Sequence, residues 1–191
     1  TPNGFENDFV WQGEEHATKR AEARKAMIEV AEACLQHKFE KEPLIVATSG
    51  RYEFRNKGLD VFMESLKRLA SFNLDREILA YVMVPAANNG ARADLVRHME
   101  DATQPIDEKQ WKHSTHYLEN TEWDSIARSI SGSVLESATS NVKVIFVPSY
   151  LNGNDGVFNK SYYELLVGVD VTAFASYYEP WGYTPLESIA C

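Results

Sequence analysis

Tyr177-Tyr178-Glu179-Pro180-Trp181-Gly182-Tyr183-Thr184-Pro185-Leu186-Glu187 is the stretch from which the rest of the chain can be read. It follows an apolar run, Val169 to Ala175, with the character of a buried strand. It ends in a helix start, with Thr184 expected as N-cap, Pro185 at the first helical position and Glu187 three residues after the cap. Strand, tight Gly-containing loop and helix N-terminus together make a place for an anion, because the first backbone N–H groups of a helix are unpaired and point outward. Glu179 and Glu187 bracket that place. Two carboxylates beside an anion hole suit a ligand carrying hydroxyls next to a phosphate, as a sugar nucleotide does. Glu187 serves equally well as the acid of a capping box, whereas Glu179 has no such structural duty. Tyr177, Tyr178, Trp181 and Tyr183 suit a carbohydrate pocket and a well-packed loop alike.

Working outward, three more apolar runs read as strands: Leu44–Thr48, Ile78–Val84 and Val142–Val147. Between them lie helical patterns. Residues 14–39 are rich in Ala, Glu, Lys and Arg, with Met27, Ala31, Cys34 and Leu35 on one face and Pro43 as the stop. Leu59, Phe62, Met63, Leu66 and Leu69 form a second stripe, and Ser161 with Glu164 predicts a capped short helix over 161–166. Strands apolar on both faces, alternating with helices, predict an α/β fold: a Rossmann-like parallel sheet with helices on both faces. Residues 1–13 read as a linker and 14–191 as the domain, with a polar insertion over about 86–141 holding helical patches near 92–99 and 123–135. The chain stops at Cys191, a few residues into the last helix, so a fragment truncated at its C-terminus is expected.

The composition excludes several classes. With 28 acidic against 19 basic residues the net charge is −9, which speaks against an extended nucleic-acid footprint. Two cysteines, Cys34 and Cys191, make no disulfide framework. No apolar run approaches membrane-spanning length and no signal core opens the chain, so a cytoplasmic protein without membrane contact is expected. No Gly-x-x-x-x-Gly-Lys or Gly-x-Gly-x-x-Gly run occurs, which disfavours nucleoside triphosphatase and dehydrogenase readings.

In parallel sheets ligands bind beyond the C-terminal ends of the strands. Ser49–Gly58, the loop leading to Tyr162 and Tyr163, and Glu179–Glu187 are all expected there. Arg51 and Lys57 offer a bidentate fork and a point charge for phosphate oxygens, and cations so placed would stabilise a departing diphosphate most in the transition state. The plainer alternative is that Arg51, Glu53 and Arg55 pair with one another. His113 and His116 have metal-compatible spacing but are expected to be solvent-exposed, and no Asp-x-Asp triplet is present, so no metal and no cofactor is expected.

Taken together, YYEPWGYTPLE at 177–187 and SGRYEFRNKG at 49–58 resemble signatures of the eukaryotic-type glycogen synthases, retaining glycosyltransferases (family 3) of the two-domain GT-B fold. VMVPAANN at 82–89 and VKVIFVPSYL at 142–151 are similar to further segments of that family, in the same order. The resemblance implies the donor-binding C-terminal domain of an enzyme that moves glucose from UDP-glucose or ADP-glucose to the non-reducing end of an α-1,4-glucan, with retention. It assigns catalytic roles to Arg51 and Lys57 at the diphosphate and to Glu179 at the transferred glucose. It places Glu187 near the ribose, Tyr162 on the base with Tyr163 a one-residue alternative, and Trp181, Gly182, Tyr183 and Thr184 around the substrate. Partners implied are the nucleotide sugar and, in the full-length enzyme, the glucan acceptor, with homo-oligomers open to the full-length protein. The chain alone is expected to be inactive. Alternatives are another retaining GT-B transferase, of starch synthase or trehalose-phosphate synthase type, and a non-catalytic nucleotide-sugar or glucan-binding module. The insertion looks shorter than its family counterpart.

Overall fold

The computed structural model describes residues 10–179 and 181–191. Most of the linker and Pro180 therefore lie outside the described residues. In chain order the elements are α1 (Gly13–Leu35), β1 (Leu44–Ser49), α2 (Leu59–Leu69), β2 (Ile78–Met83), β3 (Asn88–Ala91), α3 (Ala93–Glu100), β4 (His116–Leu118), α4 (Ser125–Ile130), a 3-10 turn (Val134–Glu136), β5 (Val142–Val147), α5 (Tyr162–Leu166), β6 (Val171–Thr172) and α6 (Tyr183–Ala190).

The main sheet runs β5-β2-β1-β6, every pair parallel. Alternate residues of its strands point to opposite faces, and both faces are covered. Ile45, Leu79, Tyr81 and Ile145 pack under α1, α3 and α5 with Met27, Leu95 and Leu165. Val46, Ala80, Val82, Val144 and Phe146 pack under α2 and α4 with Phe62, Leu66 and Ile130. This is the doubly covered parallel sheet that near-continuous apolar runs require. The phenol of Tyr81 is wholly buried and donates to the Met27 carbonyl (2.6 Å), which joins sheet to α1.

The ends of the elements hold the differences from the sequence reading. Helix α1 stops at Leu35, before Pro43 can act, because Gln36 turns left-handed (φ 50°) and its N–H returns to Glu32. The run 169–175 contributes only Val171 and Thr172 as strand. Among the described residues it pairs with β1 alone, through Asp170 N–H to Ile45 O (2.8 Å) and Ala173 N–H to Ala47 O (2.9 Å), and Val171 is half exposed. An edge position, not a buried one, explains the short ladder.

The polar segment 86–141 is folded onto the sheet. Asn88–Ala91 and His116–Leu118 form an antiparallel ribbon with an irregular register, which no apolar alternation announced. Its centre is a buried ion pair, Arg92 to Asp94 (2.6 Å), with Arg92 also donating to the Ser114 carbonyl (3.1 Å). Residues 113–115 then run beside β5, with Phe146 N–H to His113 O (2.7 Å) and Thr115 N–H to Phe146 O (3.1 Å).

That placement corrects the expectation of exposed histidines. His113 and His116 are each 2% exposed. His113 Nδ1–H donates to Val144 O (2.9 Å) and His116 Nε2–H to Asp155 O (2.9 Å), so both are structural. Burial holds His113 neutral, down to about 4 from 6.5. Below pH 6.5 the unfolded chain takes up a proton that the folded chain refuses, so stability is lost as pH falls from 6.5 towards 4, by up to about 1.4 kcal/mol per pH unit. His116 is shifted the same way by burial. The low-held carboxylates Asp94 and Asp170 add their losses only below about pH 4. Urea unfolding at pH 7 and pH 5 should show the loss, and His113→Gln should flatten the slope. An unchanged midpoint between the two pH values would count against a buried neutral imidazole.

Candidate functional site

The C-terminal ends of β1, β2 and β5 open on one side of the sheet, and there the predicted segments meet. After Ser49 the chain turns through Gly50 and closes a compact loop in which Lys57 N–H returns to Glu53 O (2.8 Å) and Gly58 N–H to Arg55 O (2.8 Å). Two ties fix this loop. Tyr52 donates to Asp124 Oδ2 (2.6 Å), whose other oxygen caps α4 at Ile126 and Ala127. Tyr177 N–H donates to Asn56 O (2.9 Å), bringing in the chain that follows β6.

Gly58 makes this approach feasible. It sits left-handed (φ 64°) at the start of α2, and a Cβ there would lie 2.0 Å from the carbonyl oxygen of Ala175. Only a residue without a side chain lets the two loops touch. The result is an ion pair between Lys57 Nζ and Glu179 Oε2, the ammonium stem only 11% exposed. Ser176 Oγ is 3.4 Å from the same carboxylate oxygen. The Lys57 hydrogen bond, and with it the backbone N–H of Gly182, holds the Glu179 carboxyl below its ordinary range.

Helix α6 starts two residues earlier than expected. Its N-cap is Gly182 in the left-handed region, not Thr184, and no side chain caps it. Pro185 is then the third helical residue, harmless because that N–H has no intrahelical acceptor. Glu187 lies too far into the helix for a capping box. Its Oε1 instead accepts from the Tyr163 hydroxyl (2.9 Å).

Tyr162 and Tyr163 are presented by α5, whose Ser161/Glu164 capping box is formed as the sequence predicts. The two rings lie 5.3 Å apart at 59°. Tyr162 shares a hydrogen bond with Ser49 Oγ (2.8 Å), and burial raises its phenol well above the ordinary value. Together with Gly50, Tyr150, Leu151, Thr184 and Glu187 they line a crevice of about 290 Å³.

Of the residues singled out from sequence, the crevice thus gathers Tyr162, Tyr163, Thr184 and Glu187, and the neighbouring loop contact gathers Lys57, Glu179 and Gly182. Arg51 stands apart, 77% exposed and paired with Glu53 (3.2 Å), as the plainer reading allowed. Trp181 and Tyr183 are exposed beside Tyr177 and Tyr178, so these aromatics form a surface and not a packed loop. Sequence reasoning missed the Ser49, Tyr52 and Asp124 contacts, and only the hydroxyl chemistry of those residues could have hinted at them. No group of three metal-ligating side chains occurs among the described residues, and no helix among them is long and apolar enough to cross a membrane.

Comparison with known proteins gives these contacts a context. A family model described as glycogen synthase matches residues 12–112 and 110–191. Glycogen [starch] synthase isoform 1 of Saccharomyces cerevisiae is 27% identical over 201 residues, taking in 73% of this chain and 28% of that protein. The Neurospora crassa glycogen [starch] synthase is 28% identical over 205 residues, 78% of this chain and 29% of its own length. The human liver glycogen [starch] synthase is 27% identical over 199 residues, covering 77% and 28%. The chain thus spans less than a third of the length of these relatives.

Proposed function

The chain belongs to the glycogen synthase family, and from that premise we propose that it forms the donor-binding half of a retaining, cytoplasmic glucosyltransferase that extends an α-1,4-glucan from UDP-glucose. The observation that carries this reading is the convergence of Lys57, Glu179 and the start of α6 beside the crevice lined by Tyr162, Tyr163 and Glu187.

The base and ribose enter the crevice, against Tyr162 and Glu187. The diphosphate reaches the start of α6 and the ammonium of Lys57, with Arg51 swinging in from solvent as a second cation. As the bond between the anomeric carbon and the phosphate oxygen breaks, negative charge gathers on the departing diphosphate, and these fixed cations and N–H dipoles stabilise it most at that moment. The opposite charge grows on the anomeric carbon, where the carboxylate of Glu179 favours it. The glucan hydroxyl attacks on the face the diphosphate leaves, and its proton passes to the departing diphosphate. Positive side chains and a helix end perform here what a bridging metal does elsewhere. The acceptor side of the cleft belongs to the rest of the protein, so the isolated chain binds donor without turning it over.

The test is titration calorimetry of Lys57→Ala and Arg51→Ala with UDP, ADP and uridine. Lys57→Ala should weaken UDP by about tenfold or more, the value of a well-made charge-assisted contact, and leave uridine alone. Arg51→Ala, starting from an exposed side chain, should lose less. Equal losses for UDP and uridine would remove both residues from the phosphates.

A further inference from the structure

One tie in the crevice has no part in the steps above. The Tyr163 hydroxyl donates to Glu187 Oε1 (2.9 Å), joining α5 to a helix in which no residue is buried. The phenol side of this tie is rigid. Helix α5 is closed by its Ser161/Glu164 capping box, Glu164 lies 3.7 Å from Lys19 of α1, and Leu165 and Leu166 are buried. The neighbouring Tyr162 is pinned to Ser49 at the end of β1 and tilts against the Tyr163 ring. The carboxylate side is not rigid: Glu187 projects from α6, whose outward residues Leu186 and Ile189 are exposed. A free glutamate loses much side-chain entropy when it grips a ligand. One already held by a phenol loses less.

We propose that Tyr163 is a positioning residue: it orients the Glu187 carboxylate so that its remaining acceptor sites face the crevice and take hydroxyls of a ligand's ribose. A carboxylate offers about four acceptor sites, and the phenol uses one. The pair therefore reads a neutral diol and not a phosphate, and it acts in ground-state binding, while Lys57 and Glu179 act where the bond to glucose breaks. This rests on the donor-binding reading above and adds to it a residue that selects ribose.

The experiment uses the full-length protein with UDP and its 2′-deoxy and 3′-deoxy analogues. Wild type should bind at least one deoxy analogue about tenfold more weakly, the cost of leaving a charged acceptor without its hydroxyl. Tyr163→Phe keeps the ring and deletes only the hydroxyl. It should lose most of that discrimination, raise KM for the donor about five- to tenfold and leave kcat within about twofold, the mark of an interaction equal in ground and transition states. Glu187→Gln should reproduce the loss of discrimination, and the double variant should be no worse than either single one, because the two act as one unit. A Tyr163→Phe protein that still discriminates ribose from deoxyribose as wild type does, even if less heat-stable, would reduce the tie to a structural strut and overturn the proposal. So would a fall in kcat at unchanged KM. Failure of wild type to bind UDP at all would instead remove the donor-binding reading beneath it.

Discussion

Glu179→Gln, in the full-length enzyme, should lower turnover by a factor on the order of 10²–10³, the usual cost of deleting one electrostatic contact from a transition state, while UDP binds more tightly than to wild type. The second half of this result comes from the geometry. In the structure the carboxylate of Glu179 is seated on Lys57, with the backbone N–H of Gly182 acting on it too. Those are the groups proposed for the ligand's phosphate, so an incoming diphosphate competes with the protein's own acid. Glutamine retains the shape but gives up most of that competition, and affinity should rise by about tenfold, as for a charge-assisted bond no longer broken on binding. Since Lys57 holds the Glu179 carboxyl below its ordinary range, the competition should persist down to about pH 4 and fade only below it. Steady-state kinetics beside calorimetry with UDP reads both halves. Wild-type turnover in this variant would remove Glu179 from the chemistry. Unchanged UDP affinity would mean that the ion pair and the phosphate occupy different places.

Gly58→Ala should be the most damaging single-methyl change at this site. The left-handed backbone itself costs an alanine about 1–2 kcal/mol, and overpacking against neighbours that cannot yield costs roughly another 1–3 kcal/mol. The neighbour here is backbone: the carbonyl of Ala175 at 2.0 Å and its carbon at 2.4 Å from the added atom. The chain after β6 must move away, and it carries Glu179 with it. Urea unfolding should show a loss of about 2–5 kcal/mol, and the separation of Lys57 from Glu179 should make UDP affinity insensitive to a further Glu179→Gln change. Gly132→Ala is the control, since its backbone angle (φ 71°) is close to that of Gly58 and nothing lies within 4 Å of a Cβ there. If the two variants unfold alike, the close approach of the loops is not what Gly58 provides.

The parts of the fold legible in sequence are those in which a residue's neighbours along the chain determine its surroundings. β1, β2 and β5 are apolar on both faces because helices cover both, and their limits fall within a residue of the runs that announce them. Helix α2 matches its stripe, and the Ser161/Glu164 box is local by nature. The misread parts depend on distant partners. Residues 169–175 carry the apolarity of a central strand, but among the described residues Val171 and Thr172 have a partner on one side only. Thr184-Pro185 is a sound helix start that Gly182 pre-empts by turning left-handed two residues earlier. His113 and His116 stand in a polar sequence and look solvated. They are covered because the segment around them is anchored by Arg92 and Asp94 and laid along β5. In the site, residue types and the end of the sheet were legible. The pairing of Lys57 with Glu179 joins residues 122 apart and follows from where Gly58 lets two loops touch, and that of Tyr163 with Glu187 depends on how α5 and α6 are set side by side.

Helix α6 shows what this arrangement means in time. It buries no residue of its own, and Ile189 is 84% exposed. Among the described residues it is held by polar contacts: Thr172 with Ser188 (2.6 Å), Tyr163 with Glu187 (2.9 Å), and His16 with the Cys191 carbonyl (2.8 Å). Contacts of that kind are each worth about 1 kcal/mol net, so α6 belongs to the low end of the local-opening scale while β2, buried along its whole length, belongs to the high end. On the donor-binding reading, one wall of the crevice is nearly rigid and the other is left for the donor to order. Part of the donor's binding free energy would then be spent on ordering that wall, and a second contact that quiets α6 would tighten donor binding without touching the donor.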